Sequence, residues 1–182
     1  LHNWEVKDVS LNLQDYDDVA IGQDFGFNHG NAILLLGWKD GNIYILSEIY
    51  GHEKDSSEWI AEAIKNELPK NKQMWCDSAE PDRIKMWRDA GFRARAVSKE
   101  PNSVKAQIDW LKGGTKKGKK VDRKIYVHPH CVNTIKELQQ WKWKKDEKSG
   151  EYLDEPVPVM DDAMAALRYG VEGWRKVKQW MV

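Results

Sequence analysis

This chain first of all lacks net charge. Twenty-nine basic side chains stand against 29 acidic ones over 182 residues. The overall basic excess that often marks a nucleic-acid binder is therefore absent, and any such surface has to be local. Cysteine is scarce: two residues, Cys76 and Cys131, cannot build a disulfide framework. With no signal peptide and no apolar run long enough to cross a membrane, the expectation is an intracellular protein with free thiols. The nucleotide-binding pattern Gly-x-x-x-x-Gly-Lys-Ser/Thr is missing, because Gly113-Gly-Thr-Lys-Lys-Gly-Lys-Lys120 does not fit it. His128-Pro-His-Cys131 has no second ligand pair at a suitable spacing, which argues against zinc. There is no internal repeat, and no heptad pattern suggests a coiled coil.

What is present fits one globular domain with a real core, at 41% hydrophobic and 10% aromatic content. Ten tryptophans are many for this length, and Trp59, Trp87, Trp110 and Trp174 fall where a helix turns them inward. The first 17 residues are polar and strand-poor and read as a linker entering a domain over 18–182.

Periodicity divides that domain. Runs 19–25, 31–38 and 43–50 are β-like, and Asp40-Gly-Asn42 between the last two predicts a hairpin. Asp55-Ser-Ser57 caps an amphipathic helix carrying Trp59, Ile60, Ala63, Ile64 and Leu68, which Pro69 stops. A strand at 73–76, a helix at 81–90 closed by Gly91, a strand at 92–97 and a helix at 103–112 follow. After a flexible loop at 113–120 come a strand at 124–128 and a helix near 131–140. A hairpin follows, built on Trp141-Lys-Trp-Lys-Lys145 and Glu151-Tyr-Leu-Asp154. A final helix over 160–181 turns Met164, Leu167, Val171, Trp174, Val177 and Met181 to one side. Strand–helix alternation after an initial hairpin gives an α/β class with a mixed sheet, in the order of the ribonuclease H-like fold, with an added β-hairpin near the C-terminal helix.

Three acidic stations punctuate this plan: Asp24 at the end of a first strand, Asp77 in Met74-Trp-Cys-Asp-Ser-Ala-Glu-Pro81, and Asp161-Asp162 opening the last helix. Taken singly, each also suits a plain role. Asp24 reads as a turn aspartate, Asp77 as a helix cap, and Asp161-Asp162 as a cap pair favoured by the helix dipole. Gathered at one sheet edge, the same carboxylates suit hard divalent ions, and two such ions are a common means of cutting phosphodiesters. Glu48 interrupts the apolar pattern of its strand and is open to two readings, a further ligand or support of the site, or a solvent-facing residue. Candidate phosphate contacts are Lys112, Lys116, Lys117, Lys119, Lys120, Arg123 and Lys124, then Lys142 and Lys144 in the hairpin, and Lys99 and Lys105. Such lysines equally suit a solvated surface. Arg168 is expected to anchor the last helix by pairing with a carboxylate.

The succession strand-Asp-Phe-Gly, strand-Asp-Ser-Ala-Glu-Pro and Pro156-Val-Pro-Val-Met-Asp-Asp-Ala-Met-Ala-Ala-Leu-Arg-Tyr169 resembles the C-terminal nuclease domain of tailed-phage terminase large subunits. The resemblance runs from about Asp18 to Tyr169. It implies a ribonuclease H-like metal-dependent endonuclease that cuts concatemeric double-stranded DNA, with Mg²⁺ or Mn²⁺ in a two-ion site. Asp24 and Asp77 match the first two metal-binding acids. It also implies an ATPase domain preceding the 1–17 linker, partnership with a terminase small subunit and a portal, no membrane, and residence in the host cytoplasm. The third station departs from the pattern. Many members read Asp-His-x-x-Asp-Ala-x-Arg-Tyr, which places a histidine at Asp162 and an acid at Ala165. Either Asp161 or Asp162 supplies that carboxylate from one turn earlier, or Ala165 is an engineered inactivating change, or the site is weakened. Helical geometry, about 1.5 Å and 100° per residue, puts 161, 162 and 165 on the same or adjacent faces and favours the first, with Asp162 foremost. A catalytically weakened DNA-clamping module and another ribonuclease H-like nuclease, such as a junction resolvase, are the alternatives.

Overall fold

The computed structural model describes residues 1–26, 29–116, 118–141, 143–156 and 160–177. A short strand β1 (Trp4–Val6) comes first, inside the segment expected to be a strand-poor linker. Three long antiparallel strands follow: β2 (Asp18–Asp24), β3 (Asn31–Lys39) and β4 (Asn42–Gly51). The turn joining the last two is Asp40-Gly41, both at positive φ (53° and 78°), a conformation that aspartate tolerates and glycine adopts without cost. Helix α1 (Ser56–Lys65) is opened by a full capping box, in which Asp55 accepts from the Glu58 N–H while Glu58 reaches back to the Asp55 N–H. Strand β5 (Gln73–Cys76), helix α2 (Pro81–Asp89), strand β6 (Arg93–Ala96) and helix α3 (Ser103–Leu111) complete the first half.

The 113–120 stretch, expected as a loop, holds a two-residue ladder between β7 (Thr115–Lys116) and β8 (Lys119–Lys120). Beyond it lie β9 (Ile125–Val127), α4 (Val132–Gln140) and the hairpin of β10 (Trp143–Lys145) with β11 (Tyr152–Pro156). The single long terminal helix expected from periodicity divides in two, α5 (Asp162–Gly170) and α6 (Glu172–Val177), with Val171 between them. Met181, assigned to its apolar side, lies outside the described residues, as does the Val177 side chain.

Seven strands form one mixed sheet in the order β1-β9-β4-β3-β2-β5-β6. β5 and β6 run parallel to β2, and β9 runs parallel to β4 on the other side. β1 extends that side by pairing with β9, Trp4 opposite Ile125, so the sheet draws in part of the 1–17 segment.

Both faces of the sheet are covered, which is why β2 and β3 are apolar nearly throughout rather than alternating. One core holds Ile21, Ile33, Met74 and Cys76 with Trp59 of α1 and Trp87 of α2. The other holds Ala20, Leu34, Leu36, Ile43 and Ile45 with Leu138 of α4, Met164 and Leu167 of α5, and Trp174 of α6. Each fully buried Ile, Leu or Met contributes about 1.5–3 kcal/mol. Trp59, Trp87 and Trp174 are buried as their spacing predicts, whereas Trp110 is half-buried.

α5 is enclosed on nearly all sides rather than along one stripe, with Ala163 to Arg168 and Gly170 all buried. It lies directly on β2 because neither partner has a side chain at the crossing. A Cβ on Gly22 would run into the Ala166 carbonyl and stand 2.7 Å from the Gly170 nitrogen. This close approach seats the N-terminus of α5 over the end of β2.

Candidate active site

The register of two parallel strands assembles the first two acids. Gln23 of β2 lies opposite Cys76 of β5, so Asp24 and Asp77 follow as the next residues on adjacent strand ends. Alternation does the rest. Ala20 packs in the α5-side core while Ile21, Met74 and Cys76 pack in the other. Asp24, four residues on from Ala20, and Asp77, one residue on from Cys76, therefore face the helix α5. The N-terminus of that helix carries Asp161 and Asp162.

Electrostatics reports the gathering. Burial, and then the nearby Asp162, Asp77 and Asp161, push the Asp24 carboxyl up to about 8, with Arg168 alone opposing. Asp77 lies 22% exposed. One of its oxygens accepts from the Ala79 N–H at 3.0 Å and lies 3.7 Å from the Lys99 ammonium. Asp77 is thus both a turn residue and one of the acids within reach of Asp24.

Asp162 is held by a device that the sequence reading did not include. The Tyr50 hydroxyl lies 3.1 Å from Asp162 Oδ2 and 3.0 Å from Glu137 Oε1. Glu137 Oε2 in turn accepts the Met164 N–H at 3.0 Å, capping α5 from a neighbouring helix where Asp161 makes no side-chain cap of its own. A phenol has one hydrogen to donate, so two carboxylates around it need a second proton. Burial pushes the Glu137 carboxyl up to about 7, which makes it the natural holder of that proton. Burial likewise raises Asp162 above the usual carboxylate range. The signal for Glu137 was available: it is an acid among Thr134 and Leu138 on the buried side of α4. No local pattern announces Tyr50.

An open cavity of about 710 Å³ lies over this cluster, lined by Asp24, Tyr50, Glu137, Asp161 and Asp162, with the exposed His29 and His52. Among the described residues no three Asp, Glu, His or Cys side chains stand as a closed set of metal ligands. The donor chemistry nonetheless suits a hard divalent cation. The four acids offer carboxylate oxygen, in negative excess around the half-buried Asp24, and the cavity leaves space for water to complete a coordination shell. A cation there would offset both the burial and the repulsion that raise Asp24.

Other expectations resolve differently. Glu48 is half-buried, and its hydrogen bonds go to α4. Its carboxylate accepts from the Asn133 N–H at 2.9 Å and the Thr134 N–H at 2.8 Å, and from both side chains, capping α4. Among the described residues Arg168 is anchored by Gln107 at 2.9 Å and has no carboxylate ion pair, while its charge is felt at Asp24. Arg123, expected at the phosphate surface, is 2% exposed, stacked 3.7 Å from the Trp110 ring and donating to the Gly41 carbonyl, so it is a core residue. Lys119 and Lys120 are exposed, and Lys105 lies 3.8 Å from Asp109 one turn on. Lys117 and Lys142, and the side chains of Lys116 and Lys144, lie outside the described residues.

Over 156 residues the chain is 29% identical to the PBSX phage terminase large subunit of Bacillus subtilis (strain 168), a match covering 84% of this chain and 34% of that protein. The chain therefore spans about a third of the length of that relative. In fold it is similar to the large terminase nuclease domain of bacteriophage SPP1, solved with bound Mn, at a TM-score of 0.79 and 20% identity over 94% of this chain and 97% of that one. It is also similar to the P22 large terminase nuclease domain, at a TM-score of 0.66 and 23% identity over 87% and 81% of the two chains. Residues 24–173 match the family model of the terminase RNase H-like domain, from the first acid to the start of α6, and the chain belongs to that family.

Proposed function

We propose that this domain is the nuclease of a phage DNA-packaging terminase, hydrolysing phosphodiester bonds of concatemeric double-stranded DNA with the aid of two divalent ions, Mg²⁺ or Mn²⁺. The observation that carries the reading is the meeting of Asp24, Asp77, Asp161 and Asp162 across two parallel strand ends and one helix start, in a chain of this family. Asp24, Asp77 and Asp162 hold the ions, with Asp161 beside them, and Asp162 stands in for the acid absent at Ala165. Divalent ions in such a site activate water and stabilise charge on the attacking and leaving oxygens. The protein's part is positional. Asp24 is fixed by the sheet, Asp77 by its turn, and Asp162 by the Tyr50–Glu137 clamp and by the packing of α5 on Gly22. Sequence-indifferent affinity for DNA comes from lysines, Lys105, Lys116, Lys117, Lys119, Lys120, Lys142 and Lys144 among them. In the whole subunit this domain works with an ATPase domain, a small subunit and a portal, in the host cytoplasm.

A DNA-clamping module with weakened catalysis is the second reading, favoured by the 5%-exposed Ala165 in place of an acid. Nicking of supercoiled plasmid by this domain with Mn²⁺, Mg²⁺ or EDTA, beside Asp24→Ala and Ala165→Asp, separates the two. Metal-dependent nicking that Asp24→Ala abolishes supports the nuclease. Silence in the parent with cutting by Ala165→Asp supports the weakened module.

A further inference from the structure

We propose that Arg93 and Arg95, on the edge strand β6, form a phosphate track that leads the backbone of duplex DNA toward Asp77. The inference rests on the nuclease reading and names part of the surface along which that substrate lies.

The chain has no net charge to spare, so the disposition of its seven arginines is informative. Five are engaged: Arg83 with Glu80, Arg88 with the Ala94 carbonyl, Arg123 in the core, Arg168 with Gln107 and Arg175 with Glu172. Arg93 and Arg95 are both exposed, and among the described residues neither guanidinium has a hydrogen bond or an ion pair. Arg95 lies 5.8 Å from the Trp75 ring, a contact that steadies the side chain without neutralising it.

Their direction follows from strand alternation. Ala94 packs in the core beneath α1 and α2, so its neighbours on either side point to the opposite face, the one shared by Trp75, Asp77 and the helices α5 and α6. Two residues along a strand span about 6.6 Å. β6 runs parallel to β5 with Arg95 opposite Trp75, and the Val97 N–H continues the ladder to the Cys76 carbonyl at 2.9 Å. The chain then reaches Lys99, whose side chain is 65% exposed and whose ammonium lies 3.7 Å from Asp77. Arg93, Arg95 and Lys99 thus make a row of cations that ends at the candidate cleavage centre. Across it, α6 adds Arg175 and Lys176, of which Glu172 offsets one charge. Charges on an edge strand also discourage pairing with another chain, but any charge at any outward position serves that purpose. A one-sided row aligned on the acidic cluster fits a polyanion laid across it.

The test compares the parent with Arg93→Ala/Arg95→Ala, the charge-keeping Arg93→Lys/Arg95→Lys, and Lys65→Ala/Lys85→Ala as a charge-matched control on α1 and α2. Binding of a labelled duplex is titrated by anisotropy with Ca²⁺ at several salt concentrations, alongside Mn²⁺-dependent nicking. Two lost phosphate contacts weaken binding about tenfold at 0.1 M salt and lower the slope of log K against log salt by about 1.8. That result in the alanine pair alone, with lysines restoring most of it, is expected. A parent that cuts DNA while the alanine pair binds with the same affinity and slope overturns the track and leaves the nuclease reading standing. A parent that neither binds nor cuts overturns both.

Discussion

Glu48→Ala decides between a ligand and a cap for a carboxylate close in sequence to the site's Tyr50. The side chain accepts four hydrogen bonds of 2.6–3.1 Å from Asn133 and Thr134 in the first turn of α4. The residue at the helix's own cap position, Cys131, offers no side-chain bond. Thr134 is fully buried, so without Glu48 its N–H and hydroxyl meet no water. A buried donor left unpaired costs about 1–3 kcal/mol. Loss of a helix cap costs about 0.5–2 kcal/mol. The two figures overlap at the Thr134 N–H, and the expected destabilisation is about 3 kcal/mol. In a domain of this size each kcal/mol moves Tm by about 2–4 °C, so the drop is roughly 6–12 °C. Thermal melts followed by circular dichroism in metal-free buffer measure it, and plasmid nicking well below both midpoints measures function. Glu48→Ala should melt early yet still nick in the cold, and Glu48→Gln, which keeps one carbonyl acceptor, should fall between. An unchanged Tm with metal-dependent nicking abolished would refute the cap and make Glu48 a ligand.

Asp24→Asn carries a pH signature. A carboxyl raised in the fold from 3.8 to about 8 adds stability that is complete below its ordinary value and lost as pH rises through about 8. In metal-free buffer the variant should therefore gain on the parent in Tm from pH 4 to pH 8. Added Mn²⁺ should close the gap by stabilising the parent alone, and a gap flat in pH would contradict the burial argument. Gly22→Ala should destabilise by about 3 kcal/mol, the upper end for overpacking, because the new methyl meets backbone of α5 that cannot swing aside. Since Asp162 rides on that helix, nicking should fall with stability, and a variant melting within a degree or two of the parent would show that α5 adjusts freely.

The strands and helices were legible because local patterns carry them. β2 to β4 run as apolar stretches around Asp40-Gly41, Asp55 caps α1 and Pro81 opens α2, each within one residue or so of expectation. The terminal helix misled because Met164, Leu167, Val171 and Trp174 keep helical spacing through a break. Hydrophobic period records what is buried, not whether the axis continues. β1 was hidden for the opposite reason: three residues with two exposed make no pattern, and only pairing with β9, some 120 residues on, makes them a strand.

By itself the sequence determined the α/β class and set acids at the ends of two strands and the start of a helix, since each depends on a few neighbouring residues. Only the tertiary structure decided what those neighbours face. It turned Arg123 from a surface cation into a core residue between tryptophans and Glu48 from a candidate ligand into the cap of α4. It joined Tyr50 to Glu137 across 87 residues to hold Asp162. The physical reason is that a polar side chain takes its role from the partner that replaces its water. These partners come from distant parts of the chain, and packing selects them where local periodicity cannot.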